Sequence, residues 1–171
     1  MTLRGAIIAA TVAAGLTGPA VAQVSTNVVA TEGDWTVFGA DNPKECWAVS
    51  PPKSSRNTRG GQTVEVQRGD IRLYVSYRSG SNGEVSFTGG YPFAPDSTVE
   101  VDIGGNKFSL FTQGENAWAG SPSDDQRLIA ALRAGSSATV TGRSARGTQT
   151  VDTFSLSGIT AATNKARDNC K

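Results

Sequence analysis

Short runs of alternating apolar and polar residues recur along most of the chain, and turn residues separate them. In the clearest run every second residue from Ile71 to Tyr77 is apolar. A period of two places those side chains on one face of a β-strand. Eight or more such strands predict a mostly β fold, an antiparallel β-sandwich or flattened barrel. The other runs lie at residues 35–37, 47–49, 64–66, 85–87, 99–103, 108–110, 138–141 and 148–156.

Turn signals separate neighbouring runs. Asn82-Gly83 is a strong two-residue hairpin signal, and it predicts that residues 85–87 return beside residues 71–78. Pro51-Pro52 stops a strand, because proline has no backbone N–H to donate to a sheet. Residues 53–61 are therefore predicted to form a polar, basic loop.

Two segments have helical rather than strand patterns. Ser121, Pro122 and Asp124 have the order of an N-cap, a first helical residue and a capping-box acid. Apolar residues at helical spacing follow them, and Gly135 is a suitable stop. Residues 159–170 contain several alanines and predict a second helix at the C-terminal end. The predicted fold is thus a β-sandwich with one inserted short helix and a C-terminal helix.

The first 22 residues have the pattern of a secretory signal peptide. Arg4 lies in a charged N-terminal region, residues 5–16 are apolar, and Ala20-Val21-Ala22 fits a cleavage site. The apolar run is too short to cross a bilayer as a helix of about 20 residues. We therefore expect Sec-type export with cleavage after Ala22, and a mature protein in the periplasm or outside the cell.

The remaining chain has the size of one domain. Removal of residues 1–22 from the 171 leaves 149, and a chain of that length buries enough surface to form a core. We predict a flexible mature N-terminus over residues 23–33 and a single β domain over residues 34–171. No second apolar stretch has spanning length, so no integral membrane segment is expected in the mature chain.

Charge argues against two kinds of partner. The whole chain has 16 Lys and Arg residues against 15 Asp and Glu residues, and loss of Arg4 with the signal peptide would leave the mature protein formally neutral. A nucleic-acid-binding domain needs a clustered basic excess, as does a polybasic membrane anchor. Neither partner is expected.

Cys46 and Cys170 are the two cysteines of the chain. An even number of cysteines in an oxidising compartment favours a disulfide. This bond would enclose nearly the whole domain and fasten the C-terminus. The alternative is a redox-active or metal-binding thiol, which no C-x-x-C spacing supports.

The chain contains no histidine. This excludes Ser-His-Asp and Cys-His catalytic sites, the usual zinc ligand sets and the commonest general base at neutral pH. The Gly-rich stretches do not match a P-loop or a dinucleotide fingerprint. We therefore expect no catalytic residues, no cofactor and no metal site.

Two local patterns resemble catalytic groups but are better explained structurally. Ser50 and Lys53 have the S-x-x-K spacing, yet the prolines between them disfavour the helical turn that such a pair requires. Asp124 and Asp125 are adjacent, and adjacent helical residues do not face each other. Acids in the first turn instead stabilise the N-terminal end of a helix.

Residues 89–95 form a loop rich in glycine, proline and aromatic residues, and this loop is a candidate contact surface. Tyr91, Pro92 and Phe93 are its central residues, and a proline-stiffened aromatic loop loses little entropy on binding. Arg56 and Arg59 in the predicted basic loop are further candidates for contact with acidic surfaces. The competing interpretation places both aromatic rings in the core and leaves the arginines in an ordinary solvated loop.

The chain contains the stretches DWTVF at 34–38, KECW at 44–47, GEVSF at 83–87, RGT at 146–148 and TFSLSG at 153–158, followed by Cys170. In their order and spacing these stretches resemble the invasion-associated locus B family of exported alphaproteobacterial proteins. The resemblance covers about residues 30–170. It implies a β-sandwich-like domain outside the cytoplasm, in a family named for a role in host-cell invasion and with no assigned catalytic residues. Many members carry a further cysteine where this chain has Phe38-Gly39, so Cys46–Cys170 is the one candidate disulfide here.

The function expected from these observations is binding without catalysis, to a host-cell surface or to a component of the cell's own envelope. One alternative is a periplasmic carrier of a small apolar ligand held in a cavity. Another is a small hydrolase that uses carboxylates. The side chains that would line the carrier's cavity are Trp35, Trp47, Phe87 and Phe108.

Overall fold

The computed structural model describes residues 27–171, so the predicted signal peptide and cleavage site lie outside the described residues. The described part contains twelve strands and two helices. The strands are β1 (Val28–Glu32), β2 (Trp35–Asp41), β3 (Lys44–Ser50), β4 (Ser54–Arg59), β5 (Gln62–Thr63), β6 (Arg72–Arg78), β7 (Glu84–Thr88), β8 (Thr98–Ile103), β9 (Asn106–Gln113), β10 (Asn116–Ala119), β11 (Ser137–Arg143) and β12 (Gln149–Ser155). The helices are α1 (Pro122–Ala134) and α2 (Ile159–Asn169).

All twelve strands belong to one antiparallel sheet that folds over on itself. Their order is β1-β2-β3-β6-β7-β10-β9-β8-β11-β12-β4-β5. Phe87 on β7 and Phe154 on β12 are five strand positions apart, yet their ring centroids lie 6.2 Å apart. In a flat sheet that separation would be roughly 24 Å, at about 4.8 Å per strand. The sheet is therefore curled into two facing layers, and the predicted mostly β, sandwich-like fold is confirmed.

The core lies between these layers and follows the predicted alternation. Trp35, Leu73, Val75, Phe87 and Phe154 are each 0–1% exposed, and their strand neighbours point outward. The indole N–H of Trp35 donates to the backbone carbonyl of Ser155 at 3.0 Å. This bond joins β2 to β12 across the open side of the sheet. It gives the buried indole N–H of Trp35 and the carbonyl of Ser155 the hydrogen-bond partners that buried polar groups require.

Helix α1 begins as its sequence predicts. Ser121 is the N-cap, and its hydroxyl oxygen accepts a hydrogen bond from the backbone N–H of Asp124 at 3.2 Å. Leu128, Ile129 and Leu132 are buried on the face that packs on the sheet. The capping signal and the helical spacing thus agree with the packing.

Helix α2 and the disulfide close one side of the sandwich. The small side chains of Ala162 and Ala166 are fully buried, in a helix that packs against β2 and β3. Cys46 on β3 is bonded to Cys170 directly after the helix, with their Cα atoms 5.8 Å apart. The predicted terminal helix and disulfide are both confirmed, and the bond holds the end of the chain against the sheet.

Several strands differ from the sequence prediction. Ser54–Arg59, predicted as a loop, forms β4 next to β12, while residues 64–66, predicted as a strand, lie in a connection. Residues 28–32, assigned to a flexible segment, form β1 beside β2. β1 and β4 lie at or near the two ends of the sheet, where a strand buries little apolar surface. Their sequences therefore lack the periodicity that reveals central strands.

Within residues 27–171, neither helix has the length and apolar character needed to cross a membrane.

Candidate contact groove

A groove of about 510 Å³ lies at one end of the sandwich. We call it the arginine groove. It is formed by the end of β4, the β5–β6 connection at residues 64–71, the β7–β8 loop at residues 89–97, the β9–β10 turn at residues 114–115, and the β11–β12 turn at residues 144–148. Its principal side chains are Arg59, Glu65, Tyr91, Pro92, Glu115, Arg146 and Thr148.

A buried ion pair holds the β5–β6 connection in place beneath the groove. The guanidinium of Arg68 donates two hydrogen bonds to the two carboxylate oxygens of Asp152, both at 2.7 Å. The Asp152 side chain is fully buried, and the Arg68 side chain is 6% exposed. Arg68 Nε also donates to the carbonyl of Gly89 at 2.9 Å. A bidentate pair of this kind fixes both distance and orientation.

Tyr91 takes its position from that ion pair. The guanidinium carbon of Arg68 lies 5.0 Å from the centroid of the Tyr91 ring, a cation–π geometry. The Tyr91 hydroxyl shares a hydrogen bond of 2.6 Å with Thr150 Oγ1. Burial is the largest effect on this phenol and raises its pKa above the ordinary value of 10.0. Tyr91 therefore remains neutral at physiological pH and stands in one orientation.

The backbones of the two connections touch at Gly69 and Gly90. Gly69 N–H donates to the carbonyl of Gly90 at 2.8 Å. Gly90 has φ +70°, and a Cβ there would lie 2.6 Å from the Gly69 carbonyl oxygen. A side chain at position 90 would thus separate the two segments. The β7–β8 loop is also joined to the β11–β12 turn, since Ala145 N–H donates to Pro92 O at 2.9 Å.

The structure divides the predicted aromatic loop between surface and core. Tyr91 is half-buried in the groove wall and Pro92 is exposed beside it. Phe93 is 6% exposed and belongs to the core, where its ring contacts Phe87 at a centroid distance of 6.2 Å. The prediction that Phe93 offers a contact surface is therefore wrong, because its ring fills the end of the sandwich instead.

The structure also separates the two predicted arginines. Arg59 lines the groove, and its Nε and Nη2 donate to Thr148 Oγ1 at 3.2 and 2.7 Å. Arg56 is exposed on β4 opposite Val151 and does not line the groove. Sequence reasoning missed Arg146, which lies in the β11–β12 turn and joins Arg59 at the groove.

The groove contains four charged side chains that have no ionic partner. Among residues 27–171, no ion pair within 4.0 Å involves Arg59, Arg146, Glu65 or Glu115. Arg68, by contrast, is neutralised by Asp152. The groove therefore offers two exposed cations and two exposed anions without salt bridges, beside a fixed aromatic ring.

The side chains considered for catalysis have structural partners. Ser50 Oγ donates to the carbonyl of Asp34 at 2.8 Å, whereas Lys53 Nζ pairs with the Asp34 carboxylate at 2.5 Å. The hydrogen bond from Lys53 is the main reason why the pKa of Asp34 lies below its ordinary value. Among residues 27–171 no group of three or more Cys, Asp or Glu side chains is arranged to hold a metal ion.

The four aromatic residues considered for a carrier do not surround one cavity. Trp35 and Phe87 are buried in the core. Phe108 is partly buried and packs against the same core. Trp47 alternates with the inward-facing Cys46 and Ala48, and it stacks on Phe38 with ring centroids 5.9 Å apart. Trp47 therefore lies on the outer face of the sheet, away from the other three.

These features define a class of protein. Its members have a curled antiparallel sheet and a C-terminal helix that a long-range disulfide fastens to the sheet. The chain belongs to the invasion associated locus B (IalB) protein family, which it matches over residues 35–167. The family resemblance of the sequence is thereby confirmed.

A solved structure has a similar fold. The chain is similar to the crystal structure of invasion associated protein b from Bartonella henselae, with a TM-score of 0.55 and 17% sequence identity. The match covers 80% of this chain and 94% of that chain, and at this identity it establishes a shared fold. A comparison with curated proteins found no match.

Proposed function

We propose that this protein is exported and acts by binding, without catalysis, and that the arginine groove is its contact surface. The observation that carries the proposal is the set of four unpaired charges around the fixed ring of Tyr91. The partner would be a protein surface of mixed charge, either on a host cell or in the cell's own envelope.

Preorganisation supports this role. Ordering flexible side chains on binding costs about 0.5–1.5 kcal/mol for each rotamer-rich side chain. Tyr91 is already held by Arg68 and Thr150, and Arg59 is held by Thr148. These side chains therefore lose little freedom when a partner covers them.

Electrostatics would decide which partners fit. A partner that covers the groove must compensate Arg59 and Arg146 with acidic groups and Glu65 and Glu115 with donors or cations. Uncompensated charges buried at an interface are costly, so this arrangement rejects apolar or uniformly charged surfaces. Complementary charges mainly provide specificity and association rate.

The proposal is tested by affinity capture with the mature, disulfide-bonded protein as bait, from envelope extract and, separately, from host-cell membrane extract. The variant Arg59→Ala/Arg146→Ala removes the two groove cations that form no salt bridge. Arg127→Ala/Arg167→Ala is the charge-matched control, because those arginines are exposed on α1 and α2. We expect a partner whose retention falls about tenfold, about 1.4 kcal/mol, in the groove variant alone. Equal retention by all three proteins would contradict the proposal.

The non-enzymatic role and the export of the protein are tested by separate experiments. Purified mature protein should release no product from extracted envelope polysaccharide, peptidoglycan or ester substrates, and time-dependent turnover of any of these would contradict the non-enzymatic role. Cell fractionation should place the protein outside the cytoplasm. A pool that remains entirely in the cytoplasm with its first 22 residues intact would contradict export.

A further inference from the structure

A second candidate binding surface lies on the outer face of the sheet, where two aromatic rings are stacked. Phe111 on β9 is directly opposite Trp118 on β10 in the strand register. Their ring centroids are 5.7 Å apart and their planes differ by 29°. Phe111 is 50% exposed, which is unusual for a phenylalanine and leaves aromatic surface open to a partner.

These rings form one side of a cleft of about 410 Å³, which we call the aromatic cleft. Helix α1 and strand β7 complete it. No residue lines both this cleft and the arginine groove. Its principal side chains are Glu84, Phe111, Gln113, Trp118, Pro122 and Asp125.

Two carboxylates stand beside the rings. Asp125 is 7% exposed, and its Oδ1 accepts a hydrogen bond from the backbone N–H of Val85 at 2.8 Å. Glu84 Oε2 lies 3.7 Å from Arg78, which makes its shorter contact, 2.6 Å, with Glu45. No Lys or Arg is among the residues that line the cleft in the described part of the chain. The cleft thus combines aromatic faces with incompletely compensated negative charge.

We propose that the aromatic cleft binds a basic side chain, arginine or lysine, presented by a partner protein. A guanidinium or ammonium is attracted to the face of Trp, and also to that of Phe, within about 6 Å. The same cation would compensate Glu84 and Asp125. An apolar partner would cover the rings equally well but would desolvate the partly exposed Glu84 carboxylate, whose cation, Arg78, lies 3.7 Å away and makes its shorter contact with Glu45. Such desolvation is costly. Charge complementarity therefore selects a cation.

This inference does not depend on the function of the arginine groove, because the two sites would bind groups of different chemistry. Its test uses the full mature protein with its disulfide and N-acetyl-arginine amide as the probe. Methyl glucoside is the neutral comparison, since stacked aromatic rings also fit a sugar ring. The measurement is the ¹H–¹⁵N signal of the Trp118 indole during titration, together with the signals of Trp35 and Trp47.

We expect the arginine probe to shift the Trp118 indole signal in a saturable manner while the Trp35 signal stays unchanged. Phe111→Ser and Glu84→Gln should each weaken this binding at least threefold, and together about tenfold. Trp47→Ala is the matched control, because Trp47 is also a half-buried tryptophan stacked on a phenylalanine, and it should leave the binding unchanged.

Three outcomes would overturn the proposal. The first is the absence of a saturable shift at Trp118 with the arginine probe. The second is a shift with methyl glucoside and none with the arginine probe, which would identify a sugar site. The third is equal affinity in Glu84→Gln and the parent, which would show that charge does not select the ligand. Phe111 and Glu84 lie on the surface, so folding of these variants is readily checked by circular dichroism.

Discussion

Arg68 and Asp152 meet inside the sandwich through two hydrogen bonds of 2.7 Å, with the carboxylate fully buried. This pair attaches the β5–β6 connection to β12, and the same guanidinium faces the ring of Tyr91. The stability of the domain and the shape of the arginine groove are therefore linked through one side chain.

Removing one charged partner of this pair should strongly destabilise the folded domain. Asp152→Leu leaves the Arg68 guanidinium buried without a counterion, and removal of one partner of a buried pair costs about 3–5 kcal/mol. The double variant Arg68→Met/Asp152→Leu removes both charges and should recover most of that loss. The measurement is the free energy of unfolding in urea.

An exposed ion pair provides the control for that experiment. Lys107 and Glu100 are 2.8 Å apart, with side chains 60% and 46% exposed, and Lys107→Ala should leave the urea midpoint nearly unchanged. If Asp152→Leu is as stable as the parent, or if the double variant is no better than the single one, this account of the buried pair is wrong.

The disulfide should make a large contribution to stability, because its two cysteines are 124 positions apart in the sequence. Loop closure of that size restricts the unfolded chain, and removal of a native disulfide costs about 2–5 kcal/mol. Cys46→Ala/Cys170→Ala should lower the free energy of unfolding by this amount. Reductant should destabilise the parent by the same amount and leave the variant unaffected. An unchanged free energy of unfolding in the fully reduced parent would refute this prediction.

Asp125 should make stability depend on pH in the direction opposite to most carboxylates. Burial is the main cause that raises its pKa above the ordinary 3.8, against the lowering effect of the hydrogen bond from Val85. The folded state therefore binds the proton more tightly than the unfolded state. As the pH rises from 3.8 through the raised pKa, this residue's contribution to stability decreases.

The variant Asp125→Asn isolates that contribution. Asparagine Oδ1 can still accept from Val85 N–H but does not titrate, so the parent should lose stability relative to the variant as the pH rises from 3.8 through the raised pKa of Asp125. The charge of the adjacent Asp124 helps to raise the pKa of Asp125, so the same comparison in an Asp124→Asn background separates the two carboxylates. A difference that is constant with pH, or of opposite slope, would contradict the assignment.

Gly158 should tolerate no side chain. Its φ is +90°, and a Cβ there would lie 2.0 Å from the carbonyl oxygen of Glu32. Gly158→Ala should therefore cost about 3 kcal/mol or more, from backbone strain and from the clash between β1 and the start of α2. Gly60→Ala is the control, because Gly60 also has positive φ, +57°, but nothing lies near its Cβ position. Its cost should be only about 1–2 kcal/mol. Equal thermal unfolding of the two variants would show that the close contact is unimportant.

The mature N-terminus should be Gln23. Intact-mass measurement of protein recovered after export should give the mass of residues 23–171 with the disulfide formed, because small residues at the −3 and −1 positions direct cleavage after Ala22. Ala22→Leu should block processing at this bond. Recovery of exported protein with residues 1–22 attached would contradict the cleavage prediction.

The sequence by itself determined the central strands, both helices and the disulfide, because these depend on local periodicity, capping and cysteine count. Residues 71–78 and 85–87 bury alternate side chains, and Ser121 caps a helix with an apolar face. Strand β4 has no such signal, since its six residues are polar and its place is fixed by pairing with β12.

Tertiary structure alone decided which members of the predicted contact loop are available. Tyr91 and Phe93 are aromatic residues on either side of Pro92 in one loop, so the sequence does not distinguish them. The curl of the sheet places Phe93 in the core and leaves Tyr91 at the groove. The sequence pattern does indicate that Asp152 is buried, because it occupies an inward position of β12 between Thr150 and Phe154. A charge at such a position requires a buried partner, but only the folding of a distant connection over the sheet identifies that partner as Arg68.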